Sequence, residues 1–98
     1  MWDEEAYKSK LNMIFEAIDE VMSKYRDIDV EEVDVDDLTI TISYKGIKAT
    51  IYPYEETIDI ELEDSVNDDD VEYVEKVAIE LLNNILNTLI LLKMLDLN

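Results

Sequence analysis

Asp59, Glu61 and Glu63 occupy alternate positions in a stretch whose other members, Ile58, Ile60 and Leu62, are aliphatic. Alternate side chains of a β-strand share one face, so the three carboxylates form a row spaced about 6.6 Å apart, from a rise of about 3.3 Å per residue. A fixed row of carboxylates can pair with Arg and Lys through charge-assisted hydrogen bonds. Thr57 starts the row. Glu55, Glu56, Asp64 and the cluster Asp68, Asp69 and Asp70 extend it at its ends. Tyr52 and Tyr54 stand beside it, and aromatic residues are enriched at binding hot spots; an ordinary polar-tipped sheet face accounts for them equally well. The partner-binding set read from the sequence is therefore Tyr52, Glu55, Glu56, Asp59, Glu61, Glu63, Asp64, Asp68, Asp69 and Asp70. Residues 27–37, of which seven of eleven are acidic and none basic, could add a second row.

The charge sets the functional question. Eleven of the twenty-one residues from 55 to 75 are acidic with no counter-charge, and the whole chain carries −18. Such a field opposes compaction and repels nucleic acid and anionic membranes. Chemistry other than charge pairing finds little support. Without His or Cys there is no ordinary zinc site, the EF-hand spacing is absent, and the one Gly, Gly46, falls in a hairpin. The cluster at Asp68, Asp69 and Asp70 is more simply a helix N-terminus, so no metal and no cofactor is expected. The four serines have no His partner for a Ser-His-Asp arrangement, and one Gly cannot build a phosphate-cradling loop. Choosing a catalytic pair from 26 acids carries no information. The chain is read as a non-enzyme. Direct nucleic-acid binding fails because affinity for phosphate comes mainly from Lys and Arg, and four of the eight basic residues lie among six acids in the first helix.

The elements that position these residues follow from periodicity. Residues 3–26 read as a helix, with Tyr7, Leu11, Ile14, Ile18, Val21 and Tyr25 on one stripe and Ala6, Phe15 and Met22 widening it. Asp3 is the expected N-cap, Trp2 and Tyr7 a hydrophobic staple, and Lys24 and Arg26 complement the C-terminal dipole. Leu38, Ile40, Ile42 and Tyr44 alternate with polar residues, as do Ile47, Ala49 and Ile51, and then Ile58, Ile60 and Leu62. These give a three-stranded antiparallel meander joined at Lys45-Gly46 and Glu55-Glu56. Residues 27–36 supply a fourth strand, with a bulge or break where the alternation slips at Glu31-Glu32, or an irregular connection. Ser65 or Asn67 caps a long second helix over residues 69–97. The fold class is α+β, one domain over residues 1–98, with both helices on one sheet face.

A helix of that length runs about 40 Å against about 23 Å for a seven-residue strand, so its C-terminal half overhangs the sheet. That half is apolar nearly all round. A homodimer through Leu89, Ile90, Leu92, Met94 and Leu95 is the expectation, since exposed apolar patches of that size are uncommon on monomers; complete coverage by the first helix is the alternative. The longest uncharged run, residues 81–92, is short of the about 20 apolar residues that span a bilayer. The N-terminus lacks the basic and apolar regions of a signal peptide. A cytoplasmic protein with no membrane partner is expected.

In charge, size and element order, the whole chain resembles the nucleic-acid-mimic inhibitors carried by phages and archaeal viruses, the anti-CRISPR and anti-restriction proteins. The resemblance implies an inhibitor, often dimeric, that occupies the nucleic-acid channel of a host defence complex; it assigns no residue. Two rivals stand beside it: acid enrichment as an adaptation to high salt, against which the acids are clustered rather than spread, and a dimeric accessory module whose charge keeps an apolar helix soluble.

Overall fold

The computed structural model describes residues 4–96, in the order α1 (Glu4–Met22), β1 (Asp29–Asp34), β2 (Thr39–Tyr44), β3 (Ile47–Tyr52), β4 (Thr57–Leu62) and α2 (Asp68–Asp96). The strands form one antiparallel sheet in the order β1-β2-β3-β4, so residues 27–36 do contribute the fourth strand. The Asp3 cap, the Trp2 staple, Leu97 and the side chain of Leu95 lie outside the described residues.

The slip in β1 resolves as a bulge. Val30 stands opposite Ile42, and Glu32, not Glu31, stands opposite Thr41. The extra residue resets the alternation, so Val30 and Val33 both face the same side as Ile42 and Ile40. Lys45 and Gly46 take φ of 46° and 81°, the left-handed pair that a two-residue hairpin matched to strand twist requires. A Cβ on Gly46 would lie 3.1 Å from Oε2 of Glu63, and Glu63 N–H donates to Gly46 O at 2.9 Å. Asp34 Oδ1 accepts from the backbone N–H groups of Asp36 and Asp37 at 2.9 and 3.3 Å, the local side-chain bond that makes Asp a turn former. Asn67 caps α2: its Oδ1 accepts from Asp69 N–H at 2.8 Å, with Asp68, Asp69 and Asp70 in the first turn.

The core is a sandwich of sheet and helix. Ile40, Ile42, Ile47, Ala49 and Ile51 are fully buried against Val74, Val77, Ala78, Leu81 and Ile85. Each large aliphatic side chain so enclosed contributes on the order of 1.5–3 kcal/mol from removal of apolar surface from water. α2 lies over β3 and, less closely, β2, and α1 packs on α2. α1 contributes Ile14, Ala17, Ile18, Val21 and Met22 to the core, and Asn84 Nδ2 donates to Ala17 O at 2.6 Å.

Four expectations are corrected. α1 stops at Met22, so Lys24 and Arg26 do not sit in its last turn; Lys24 N–H bonds Val21 O and Tyr25 N–H bonds Met22 O, tightening the end, and the Lys24 ammonium pairs with Glu80 of α2. Phe15 does not widen the buried stripe but is 43% exposed, and Leu62 of edge strand β4 is 53% exposed. Finally, over Asp68–Met94 α2 is long and apolar enough, by length and composition, to cross a membrane. Counting the uncharged run alone missed this, because a spanning window tolerates a charge. A third of the most apolar window, 33%, is buried within the fold.

Candidate acidic interaction surface

Both helices cover one face of the sheet, and the other face is open. Its side chains are fixed by register. Asp29 lies beside Ser43, Ser43 beside Lys48, and Lys48 beside Glu61. In the next row Glu32, Thr41, Thr50 and Asp59 follow one another across the four strands. Each row thus ends in a carboxylate at both edges; the first holds Ser43 and Lys48 in the middle, and the second holds Thr41 and Thr50, which share a hydrogen bond at 3.4 Å. Asp34 continues the β1 edge beside Thr39, and Thr57 begins the β4 edge beside Tyr52.

The result is two rails. Along β1 run Asp29, Glu31, Glu32 and Asp34; along β4 run Asp59 and Glu61. Three strand spacings of about 4.8 Å put the rails roughly 14 Å apart. That is close to the width of a DNA major groove, about 12 Å. One cation interrupts the face: Lys48 Nζ lies 3.3 Å from Glu31. A hydrogen bond from Ser43, and then Lys48, hold the Glu31 carboxyl below its ordinary range. Lys48 therefore ties one carboxylate of the β1 rail and leaves the face strongly negative, with six acids against one ammonium.

The structure sorts the acids named from the sequence. Glu55 and Glu56 form the β3–β4 turn, with Glu56 at φ 56°, and Glu63 and Asp64 follow β4; with Asp59 and Glu61 they make one continuous acidic edge. Asp68, Asp69 and Asp70 do not join it. The connection after Asp64 carries the chain to the opposite face, where these residues open α2 in the helix layer. Tyr52 is half-buried and Tyr54 is 68% exposed. The β1 rail was the less legible half, because its bulge breaks the period-2 pattern.

At the end of the molecule where α2 begins, three tyrosines converge that no spacing in the sequence connects. Tyr73 meets Tyr25 and Tyr44 edge-to-face, at 6.0 and 5.2 Å between centroids. Tyr73 Oη donates to Asp27 at 2.8 Å; that bond, and then burial, push its phenol up to about 12. Tyr25 Oη donates to Glu80 at 2.7 Å. Lys24 and then Tyr25 hold the Glu80 carboxyl below its ordinary value, and Lys45 lies over the Tyr44 ring at 5.2 Å. These contacts fasten α1, α2 and the sheet together. Among the described residues, no group of three or more acids is arranged to hold a metal ion.

The overhanging half of α2 has the opposite chemistry. Ile90, Leu91 and Met94 there, and Ile79 nearer the middle of the helix, are each more than half exposed. Of the residues expected to form a dimer contact, Ile90 and Met94 face solvent and Leu89 is half-buried, but Leu92 is only 8% exposed. Leu92 packs into the chain's own core, so it is not available to a second copy. α1 thus covers one side of the overhang and leaves the other open. No family model, curated protein or solved structure matches this chain.

Proposed function

We propose that this protein is a nucleic-acid mimic, a non-enzymatic inhibitor that acts in the cytoplasm by filling the basic nucleic-acid channel of a host complex of the defence type. The observation that carries the reading is the pair of carboxylate rails on the two edges of one rigid sheet face. A cleft shaped to hold two phosphate strands presents Arg and Lys in two lines, and carboxylates accept the same charge-assisted bonds as phosphate. The hydroxyls of Ser43, Thr41 and Thr50 between the rails add donors and acceptors, and the one cation among them, Lys48, is tied to Glu31. The field of an 18-fold negative chain steers a basic partner into contact and makes the encounter salt-sensitive.

The test is capture from the host at low salt followed by elution with duplex DNA. The expected result is retention of basic nucleic-acid-binding proteins that DNA displaces, and their loss on the combined change Asp59→Lys, Glu61→Lys and Glu63→Lys. Recovery of only neutral or acidic partners, or partners that DNA does not displace, overturns the reading.

A second reading, a dimeric interaction module, is favoured by one observation, the exposed apolar residues Ile90, Leu91 and Met94 on the last turns of α2. On so acidic a surface these turns are the place where two copies meet with the least repulsion. The contact residues would be Ile79, Ile90 and Met94 in place of Leu92. Sedimentation equilibrium of the wild type against Ile90→Glu checks this: a dimer that the substitution dissociates supports it, and a monomer at high concentration removes it.

A further inference from the structure

The helix layer is narrower than the sheet beneath it. α1 packs against α2 rather than squarely over β1, and the inner side of β1 is left as one wall of an open groove whose other wall is α1. The groove holds about 570 Å³. Met22 and Val33 form its floor, and Phe15 and Val30 stand at its lips, 43% and 41% exposed. The charged residues along it are Glu16 and Asp19, with no Lys or Arg in its lining.

We infer that this groove is the docking site for a basic amphipathic helix of a partner protein. The apolar floor asks for a stripe of large aliphatic side chains at helical spacing. The margin, whose only charges are Glu16 and Asp19, asks for Lys or Arg flanking that stripe. From residue 12 to residue 22, α1 offers about 15 Å of wall, which matches roughly three turns of a partner helix. A second copy of this chain is a poor occupant, because each copy brings a charge of −18 to an acidic rim. The groove lies on the side of β1 opposite Asp29 and Glu32, so the inference does not rest on the mimic reading and shares no residue with its contact surface.

The probe is a fluorescent Leu/Lys peptide of about 15 residues whose leucines form one helical stripe, read by anisotropy at physiological salt. Its controls are the same composition scrambled to destroy the stripe, and a Leu/Glu counterpart. The expected result is binding of the striped basic peptide about tenfold or more tighter than the scrambled one. Phe15→Ser with Val30→Ser, both exposed positions, removes that advantage without changing charge. Glu16→Lys with Asp19→Lys weakens the basic peptide and admits the Leu/Glu one. Asp59→Lys, Glu61→Lys and Glu63→Lys together, a larger change in charge on the far face, leave the striped peptide's advantage over the scrambled one intact. Equal affinity for striped and scrambled peptides, or wild-type binding by the serine double variant with a native circular dichroism spectrum, overturns the inference.

Discussion

The open sheet face and the outer face of α2 are both exposed, and they are built on opposite terms. The sheet face is charged at its edges and rests directly on the most enclosed residues of the molecule: Ile40, Ile42 and Ile51 lie on its underside with no exposed surface. The outer face of α2 is apolar, and its last turns project past the sheet with fewer neighbours below. Charge is therefore carried on edge strands paired to a fully enclosed centre, while apolar surface and freedom to pair coincide in the other region. A row of like charges needs that backing, since the mutual repulsion of carboxylates would spread them on a pliant support. An apolar contact surface has no such need, because a partner's burial of it is non-directional.

The contrast can be broken at its strongest point first. Ile51→Ala, in the enclosed centre between the rails, is expected to cost about 2–5 kcal/mol in denaturant unfolding. Ile90→Ala on α2 is expected to cost under about 0.5 kcal/mol in the monomer; comparable losses at the two sites would erase the distinction. Next in size is Glu80→Gln at the junction of the helices, which should cost about 1–2 kcal/mol near neutral pH, a figure reduced by partial exposure. The carboxyl of Glu80 titrates below its ordinary 4.5 in the folded state. Its contribution is therefore present above that value and lost as pH falls through the folded pKa, so wild type and variant should converge in acid.

Smaller effects sharpen the picture. The Debye length shortens from about 30 Å to about 10 Å between 0.01 and 0.1 M salt, passing the roughly 14 Å that separates the rails. The melting temperature should rise most steeply across that interval, and a flat response would mean that the rails do not repel. At the alkaline end, Tyr73 has its folded pKa raised from 10.0 to about 12. Its contribution is full below 10 and is lost as pH rises toward 12, and Tyr73→Phe should abolish that phase of the unfolding profile.

How much of this could be read from residues alone depends on whether the signal was local. Alternation from Leu38 to Leu62 marked three strands because β2 and β3 each have one buried and one open face and β4 half-buries Ile58 and Ile60. The β1 rail was half visible: the slip at Glu31-Glu32 marked a bulge, but only pairing with β2 shows that the extra residue keeps Val30 and Val33 on the core side. Helix periodicity placed Ile14, Ile18 and Val21 inside, yet it could not tell that Phe15, one step round the stripe, stands at the lip of an open groove beside β1. Leu92 and Ile90 look alike in sequence and differ only in which of them α1 and the sheet cover. Asp68, Asp69 and Asp70 continue the acidic run in the chain but not in space, because Asn67 starts a helix on the opposite layer. The tyrosine cluster joins positions 25, 44 and 73, and nothing short of tertiary packing connects them.

The overhang of α2 also governs how the molecule moves through solvent. Its principal extents are 51 × 22 × 20 Å and its radius of gyration is 14.6 Å, where about 13 Å is usual for a chain of this length. A rod of that aspect tumbles and diffuses more slowly than a sphere of equal mass. A single copy will therefore leave a sizing column early, and elution volume alone would overstate its mass.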